Sequence, residues 1–391
     1  MTCSCALYDV YIANDAAGMV VPENPYQEEP YTGGYTSYMK ISTLLNEYDY
    51  MPYWSEHVVA HELHHSIQLR YGYSVSGTPG NYMYNGWFFE QSATYMENVI
   101  FPNSNHLLTM LSNCNVVTPL TYPEHGINYP AEIYPYRSAL WQKFMVESYE
   151  DSTIVRTVWE KYGLEFASAT EGFSLFPIYN EALIEHTEGN ITLGDAYDEY
   201  ALWRYFTGDR YNSSLNYFNQ GASYCESKIS SLEDSSYSLY SNTGGVYYFE
   251  IDSQINNLTV GSDNFNDISI ALLLYSFNTD MYSVDLPFQS DNSTFYFDEY
   301  SDYNKILIIS SNYTSSISEL IDFQISVNTM NYLGDINNDG SININDVVLL
   351  INYILLYDDI DEETLSNSDM NSDLQLNIMD VVLLVNIILG N

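Results

Sequence analysis

Positive charge is what this chain most lacks. Ten Lys and Arg face 52 Asp and Glu, for a net charge of −42. Such a surface repels nucleic acid and anionic membranes, and no basic patch offers a phosphate-binding footprint. It suits high ionic strength or a chain that binds cations, and most of these carboxylates read as a solvated surface. Cysteine is also scarce. Cys3, Cys5, Cys114 and Cys225 are too few for a disulfide scaffold, and Cys3 and Cys5 are too close for a C-x-x-C motif. One or two disulfides are expected of a secreted chain, with the pairing open. No apolar run is long enough to span a bilayer. The first basic residue is Lys40, so the start has no positively charged leader region: either the protein is cytoplasmic or the chain begins after a removed or unrecorded leader, and the C-terminal segment favours the second. What is present in quantity is apolar surface. Hydrophobic residues make up 46% of 391 positions, which excludes a wholly disordered chain and leaves room for two or three cores.

Histidine is scarce too, yet four of the seven fall in "HVVAHELHHSIQ", residues 57–68. Inside it His61-Glu62-Leu63-His64-His65 matches H-E-x-x-H, a pattern expected by chance on the order of once in a hundred such chains. On a helix advancing about 100° per residue, His65 falls about 40° from His61, with Glu62 beside them. Val59, Leu63 and Ile67 cluster on the far side and are expected to face a core. Two imidazoles leave zinc short of its usual three protein ligands, so a third is expected from another helix. "WFFEQSATYMEN" offers Glu90, Thr94 and Glu97 along one stripe, with the small Ala93 allowing close approach. His57 and His64 read as helix-surface residues or as supports beside the metal face. His186 reads as a histidine at a helix C-terminus, where the dipole favours it, and His106 as ordinary surface.

These segments resemble the gluzincin metallopeptidases, in which H-E-x-x-H is followed by a glutamate ligand on a second helix. "FEQSATYME" is similar to the N-E-G-x-A-x-Y-x-E segment of aminopeptidase-type members. "AHELHHSIQ", "WFFEQSATYMEN", "SALWQKFMVE" and "ALWRYFTG" together are similar to a group of secreted bacterial peptidases. Phe89-Glu90-Gln91 stands where Asn-Glu-Gly is usual. No Gly-x-Met-Glu-Asn element of the aminopeptidase kind is found, so an endopeptidase is expected. The resemblance implies one catalytic zinc held by His61, His65 and Glu90, with Glu62 as the base that deprotonates the attacking water. Tyr136 is the first candidate for stabilising the oxyanion and His125 the second; Glu97 would orient a ligand histidine.

The chain reads as multidomain. Residues 1–212 carry β-like runs ("ALYDVYIA", "TSYMKIS") and then helical periodicity, an α+β zincin-like catalytic domain. Residues 226–329 carry "GGVYYFEIDS", "ISIALLLYSF", "STFYFDEY" and "KILIISSNY", the spacing of a β-sandwich accessory domain. Residues 330–391 hold a repeat: "GDINNDGSININDVVLLINYIL" recurs 34 residues later as "SDMNSDLQLNIMDVVLLVNIIL". Each copy has the oxygen-ligand arithmetic of a calcium loop followed by an apolar helix. Asp335, Asn337, Asp339, Ser341 and Asp346 serve the first ion; Asp369, Asn371, Asp373, Gln375 and Asp380 serve the second. Two structural calcium ions are expected.

This small all-α tail resembles a type I dockerin, a module that plugs into a cohesin-bearing scaffold or surface. Leu374 stands where the second loop expects Gly, so that turn is strained and its site weaker. Ile344-Asn345 and Ile378-Met379 replace the Ser-Thr pairs of cellulosomal dockerins, which argues against a cellulosomal cohesin. The combined expectation is a secreted or surface-attached zinc endopeptidase acting on protein or peptide, with no nucleic-acid partner and no membrane span. The alternatives are a catalytically inactive attachment protein and a glycan-binding protein led by the Tyr-rich β domain.

Overall fold

A computed structural model of the chain describes residues 8–14, 18–47, 54–73, 82–131, 133–170, 172–215, 217–232, 236–252, 255–262, 267–276, 279, 281–289, 293–297, 303–311, 320–329, 333–337, 341–356 and 362–389. The N-terminal part opens with strands β1 (Val10–Ala13), β2 (Gly18–Tyr26) and β3 (Gly34–Ser42). They form one sheet in the order β1-β3-β2, with β1 parallel and β2 antiparallel to β3, which leaves β2 at an edge. Eight helices follow: α1 (Trp54–Tyr71), α2 (Tyr82–Ile100), α3 (His106–Leu111), α4 (Tyr134–Arg137), α5 (Leu140–Tyr149), α6 (Thr153–Ser168), α7 (Phe176–His186) and α8 (Leu193–Tyr205). Thr192 and Asp195 cap α8 reciprocally, so its first backbone N–H groups are satisfied.

Helix α1 lies between the sheet and α2. On the sheet side Val58 packs with Met39, Ile41 and Leu45. On the other, Gln68 donates its amide to Phe89 O (3.0 Å) and Ser92 Oγ (2.8 Å), stitching α1 to α2. Beneath α2 runs an aromatic core in which Phe88 stacks on Trp159 at 4.1 Å, with Trp141, Phe144, Tyr162 and Tyr179 fully buried around them. Each such ring contributes about 1.5–3 kcal/mol by leaving water.

The predicted core stripe of α1 is not in the core: Val59, Leu63 and Ile67 are 41%, 41% and 49% exposed. The opposite face, with His57, His61, Glu62 and Gln68, is the buried one. The physical reason is that His57, His61 and Gln68 find partners on α2 and Glu62 on the β2 backbone, so burying them costs little, and the sheet and α2 leave the Val59 side of the helix uncovered.

Strands β4 (Ser230–Ser231), β5 (Ser236–Asn242), β6 (Val246–Ile251), β7 (Ile255–Gly261), β8 (Ile268–Ser276), β9 (Met281–Gln289), β10 (Ser293–Tyr296), β11 (Tyr303–Ser311) and β12 (Leu320–Thr329) form two sheets, β10-β7-β12-β5 and β4-β6-β11-β8-β9. Phe249, Leu272 and Leu307 of one sheet and Leu258, Phe323 and Ile325 of the other share a single core. The outer face of the second sheet is covered as well: Tyr248, Ala271 and Ile308 pack against Ala201, Tyr205 and Phe206 at the end of α8. That double burial explains why β8 reads as a continuous apolar run rather than an alternating one. The buried Arg204 ties the layers, donating to the carbonyls of Pro119, Pro123 and Gly244.

Cys114 and Cys225 form a disulfide across 111 residues of chain, closing the helical part onto the segment that leads into the sheets. A loop of that size restricts the unfolded chain by about 4–5 kcal/mol in the chain-entropy account. Cys3 and Cys5 lie outside the described residues. The tail holds α9 (Ile344–Leu356), α10 (Glu362–Ser368) and α11 (Ile378–Ile388), with Val347 and Leu350 of α9 packed on Val381 and Leu384 of α11. No helix among the described residues is long and apolar enough to cross a membrane.

Candidate metal centre

Three predicted ligands from two helices converge. His61 Nε2 lies 3.0 Å from Glu90 Oε2, and His65 Nε2 lies 3.4 Å from the same oxygen. A tetrahedral ion with bonds of about 2.0–2.1 Å sets its ligands about 3.3 Å apart, so each nitrogen stands near ligand spacing from the Glu90 oxygen, and all three atoms lie within 4.8 Å of one another. The other ring nitrogens are already committed: His61 Nδ1 donates to Glu97 Oε1 at 2.8 Å and His65 Nδ1 to Gln68 Oε1 at 2.6 Å. With Nδ1 held in this way each ring presents its Nε2 to the ligand position, where an ion would take the place of the Nε2 proton, the arrangement that orients imidazoles at metal sites. The donor set therefore fits zinc. Helix spacing supplies His61 and His65. Ala93 and Ser92, both fully buried, supply the close approach of α2 that brings Glu90 and Glu97 within reach.

Electrostatics follow from burial and partner. Burial pulls the His61 imidazole down, but hydrogen bonds to Glu90 and Glu97 outweigh it and push it up to about 10. Burial would raise Glu90 and Glu97, yet the histidines bonded to them hold both well below the carboxylate range. Glu62 is raised by burial, partly offset by the neighbouring histidines and by a hydrogen bond from the Val20 backbone. Gly18 is required here because a Cβ would meet Val58 at 2.5 Å and Glu62 at 2.7 Å. Burial lowers His64 to about 3 and keeps it neutral beside Trp159.

A cleft of about 530 Å³ opens over these groups, lined by residues 18–22 of β2 and by His61, Glu62, His65, Glu90 and Tyr136 among others. Tyr136, on the short α4, stacks its ring on His61 at 5.4 Å and hydrogen-bonds Glu90. Burial, then the Glu90 charge, pushes its hydroxyl far up, so it remains a proton donor. The other oxyanion candidate, His125, stacks on Tyr129 at 3.7 Å and lines neither cavity beside the ligands. His186 ends α7 and bonds Asp151 at 2.6 Å.

One expectation requires correction. His106 is not ordinary surface: its Nδ1 bonds Glu97 Oε2. Of the two readings of His57, the structure favours the support over the surface residue, since it is 3% exposed with its Nδ1 3.3 Å from the same oxygen. His57 could have been suspected from its spacing of four before His61. His106 carries no local signal, because the turn after α2 delivers it.

In the tail, Asp346 Oδ1 accepts from the backbone of Ile336 (2.9 Å) and Asn337 (3.2 Å), and its Oδ2 accepts from Asn343 (2.7 Å). Asp369 accepts from Asp373 and Leu374, Asn371 and Asp373 each cap a backbone N–H two residues on, and Asp380 accepts from Asn377 at 2.8 Å. Asp335 is buried. Ser341 and Gln375 lie on their loops, and Asp339 falls outside the described residues. Leu374 takes φ 63°, the left-handed conformation that a glycine adopts at no steric cost.

Two families match parts of the chain. The first, a family of unknown function (DUF6055), matches residues 34–169, the stretch that contains α1, α2 and Tyr136. The second is the Dockerin type I domain, at residues 333–389. No curated protein and no solved structure matches the chain. Residues 333–389 are thus a dockerin type I domain in a multidomain α+β protein; domains of this type bind calcium and typify extracellular or cell-surface assemblies.

Proposed function

We propose that residues 1–212 form a zincin-like zinc endopeptidase, followed by an accessory sandwich at 226–329 and a calcium-stabilised attachment domain at 330–391. The observation that carries this reading is the convergence of His61 Nε2, His65 Nε2 and Glu90 Oε2, with both Nδ1 atoms tied down behind them. When bound there, zinc supplies Lewis acidity toward a carbonyl and toward water. Glu62 takes the proton of the attacking water and delivers it to the leaving amine, a role its raised affinity for protons favours. Tyr136 donates its hydroxyl proton to the oxyanion of the tetrahedral intermediate. Glu97 holds His61 in the tautomer that faces the cleft.

A peptide substrate is favoured by β2. It is the edge strand of its sheet and lines the cleft, and an extended peptide can pair with such an edge. The dockerin domain supports attachment to a cohesin scaffold. Two calcium ions are assigned to Asp335, Asn337, Asp339, Ser341 and Asp346, and to Asp369, Asn371, Asp373, Gln375 and Asp380. Ile344 and Ile378, 64% and 66% exposed where cellulosomal dockerins carry polar residues, point to a partner with an apolar docking face. The enzymatic reading is tested with Glu62→Gln and casein. The variant should retain zinc and fold while cleavage falls by roughly 10²–10⁴-fold, and undiminished cleavage would reject the mechanism.

A further inference from the structure

Behind the cleft, a second group of ligand side chains surrounds Glu97. His57 Nδ1 and His106 Nδ1 both meet Glu97 Oε2, and the three ligand atoms lie within 4.8 Å of one another. Glu97 is 3% exposed and His57 3%. The two imidazole rings meet edge to face at 4.6 Å, and Trp54 closes the far side of His106 at 5.5 Å. A cavity of about 230 Å³ adjoins the group and shares Gly18, His61, Glu62 and Tyr136 with the cleft, with room for water or a further ligand. Glu97 thus receives three imidazoles: His61 on one oxygen, His57 and His106 on the other.

We propose that His57, Glu97 and His106 bind a second divalent first-row transition metal, with the Glu97 carboxylate bridging this ion to His61. The chemistry of the donors selects the class. Two imidazole nitrogens and one carboxylate oxygen suit zinc and its first-row neighbours, whereas calcium and magnesium prefer sites made of oxygen alone. His57 Nδ1 stands 3.3 Å from Glu97 Oε2, the ligand spacing of about 3.3 Å around a tetrahedral ion, whereas His106 Nδ1 lies closer to that oxygen and must draw back to admit one. Metal binding also replaces two competing N–H contacts to a single oxygen with bonds from lone pairs. Its ligands include none of His65, Glu90 or Glu62, and it meets the catalytic groups through Glu97, which bonds His61. One consequence reaches the cleft: an ion on Glu97 draws electron density from the carboxylate and weakens its hold on His61 Nδ1.

The test uses the full chain, stripped by chelator and reloaded with zinc alone, with bound zinc counted by elemental analysis after dialysis. Two zinc ions per chain are expected. His106→Gln, which keeps a hydrogen-bond donor near Glu97, should bind one, as should His57→Gln. Glu90→Ala should also bind one, and the double variant His106→Gln/Glu90→Ala none. A wild-type count of one that His106→Gln leaves unchanged would overturn the second site. A count lowered by His106→Gln but not by Glu90→Ala would support the second site and reject the first. Should the His106 variant not fold, titration of Glu90→Ala, which lacks the first site, against a chromophoric zinc chelator decides: one bound zinc supports the proposal and none rejects it.

Discussion

Asp369 and Asp380 of the tail belong to one loop and reach their positions through backbone hydrogen bonds spanning five residues or fewer. In the cleft, His61 meets Glu90 across 29 residues and Glu97 across 36. Both regions gather groups suited to a cation, but the forces that hold them differ. The tail has a small core of Val347, Leu350, Val381 and Leu384, and its carboxylates repel one another unless an ion joins them. The cleft rests on a large aromatic core, and its candidate ligands are held in place by side-chain hydrogen bonds. Preorganisation by protein and organisation by ion should therefore respond to opposite treatments.

Metal removal should break the comparison most visibly. Segment 330–391 is expected to be largely unfolded in chelator and to become helical with calcium, whereas the helical content of residues 1–212 in the full chain should survive zinc removal. Circular dichroism during a calcium titration decides it, and a segment indifferent to calcium would undo the contrast. Within the tail, Asp335→Ala should hurt more than Asp369→Ala.

The next effect lies in the cleft. Glu90→Ala removes a donor, so added zinc should not restore casein cleavage. Glu97→Ala removes the partner of His61 Nδ1 and should raise the zinc concentration needed by roughly 10–100-fold. If the two variants ranked the other way, Glu97 would be the ligand.

Asp198, buried outside both sites, sharpens the contrast. Burial pushes its carboxyl up to about 8, with Ser310 and Ser269 offsetting part of the effect. Below about pH 4 both folded and unfolded chains hold this proton. Between about 4 and 8 the unfolded chain releases it and the folded chain keeps it, so stability falls as pH rises, by at most about 1.4 kcal/mol per unit. Asp198→Asn should flatten the slope of Tm against pH between 5 and 8; identical slopes would show that the carboxyl titrates normally.

The smallest effect concerns Leu374. Its left-handed backbone costs about 1 kcal/mol or somewhat more, so Leu374→Gly should tighten the second calcium loop several-fold. Isothermal titration would register it, and unchanged affinity would mean that the loop is not strained.

Legibility followed sequence distance. The residues of α1, α2, α5, α6 and α8 announce themselves by apolar spacing, and β6, β8, β10 and β11 by β-branched runs. The short α4, which carries Tyr136, and the edge strand β2, broken by Pro22 and Pro25, have no such period. Their places depend on what they pack against. The stripe of Val59, Leu63 and Ile67 misled because periodicity marks two faces of a helix and does not say which one a neighbouring layer will cover.

What the sequence by itself determined is local: a histidine pair and a glutamate at helical spacing, and two loops whose first four ligands recur every second residue. Those patterns survive translation into structure because a helix or a turn fixes the relative positions of residues a few places apart. Only the tertiary structure decided that the polar face of α1 is the buried one, that Cys114 pairs with Cys225, and that Glu97 draws His57, His61 and His106 onto one carboxylate. Each of those depends on which distant segments the packed core brings together, and backbone geometry alone does not carry that information across 36 or 111 residues.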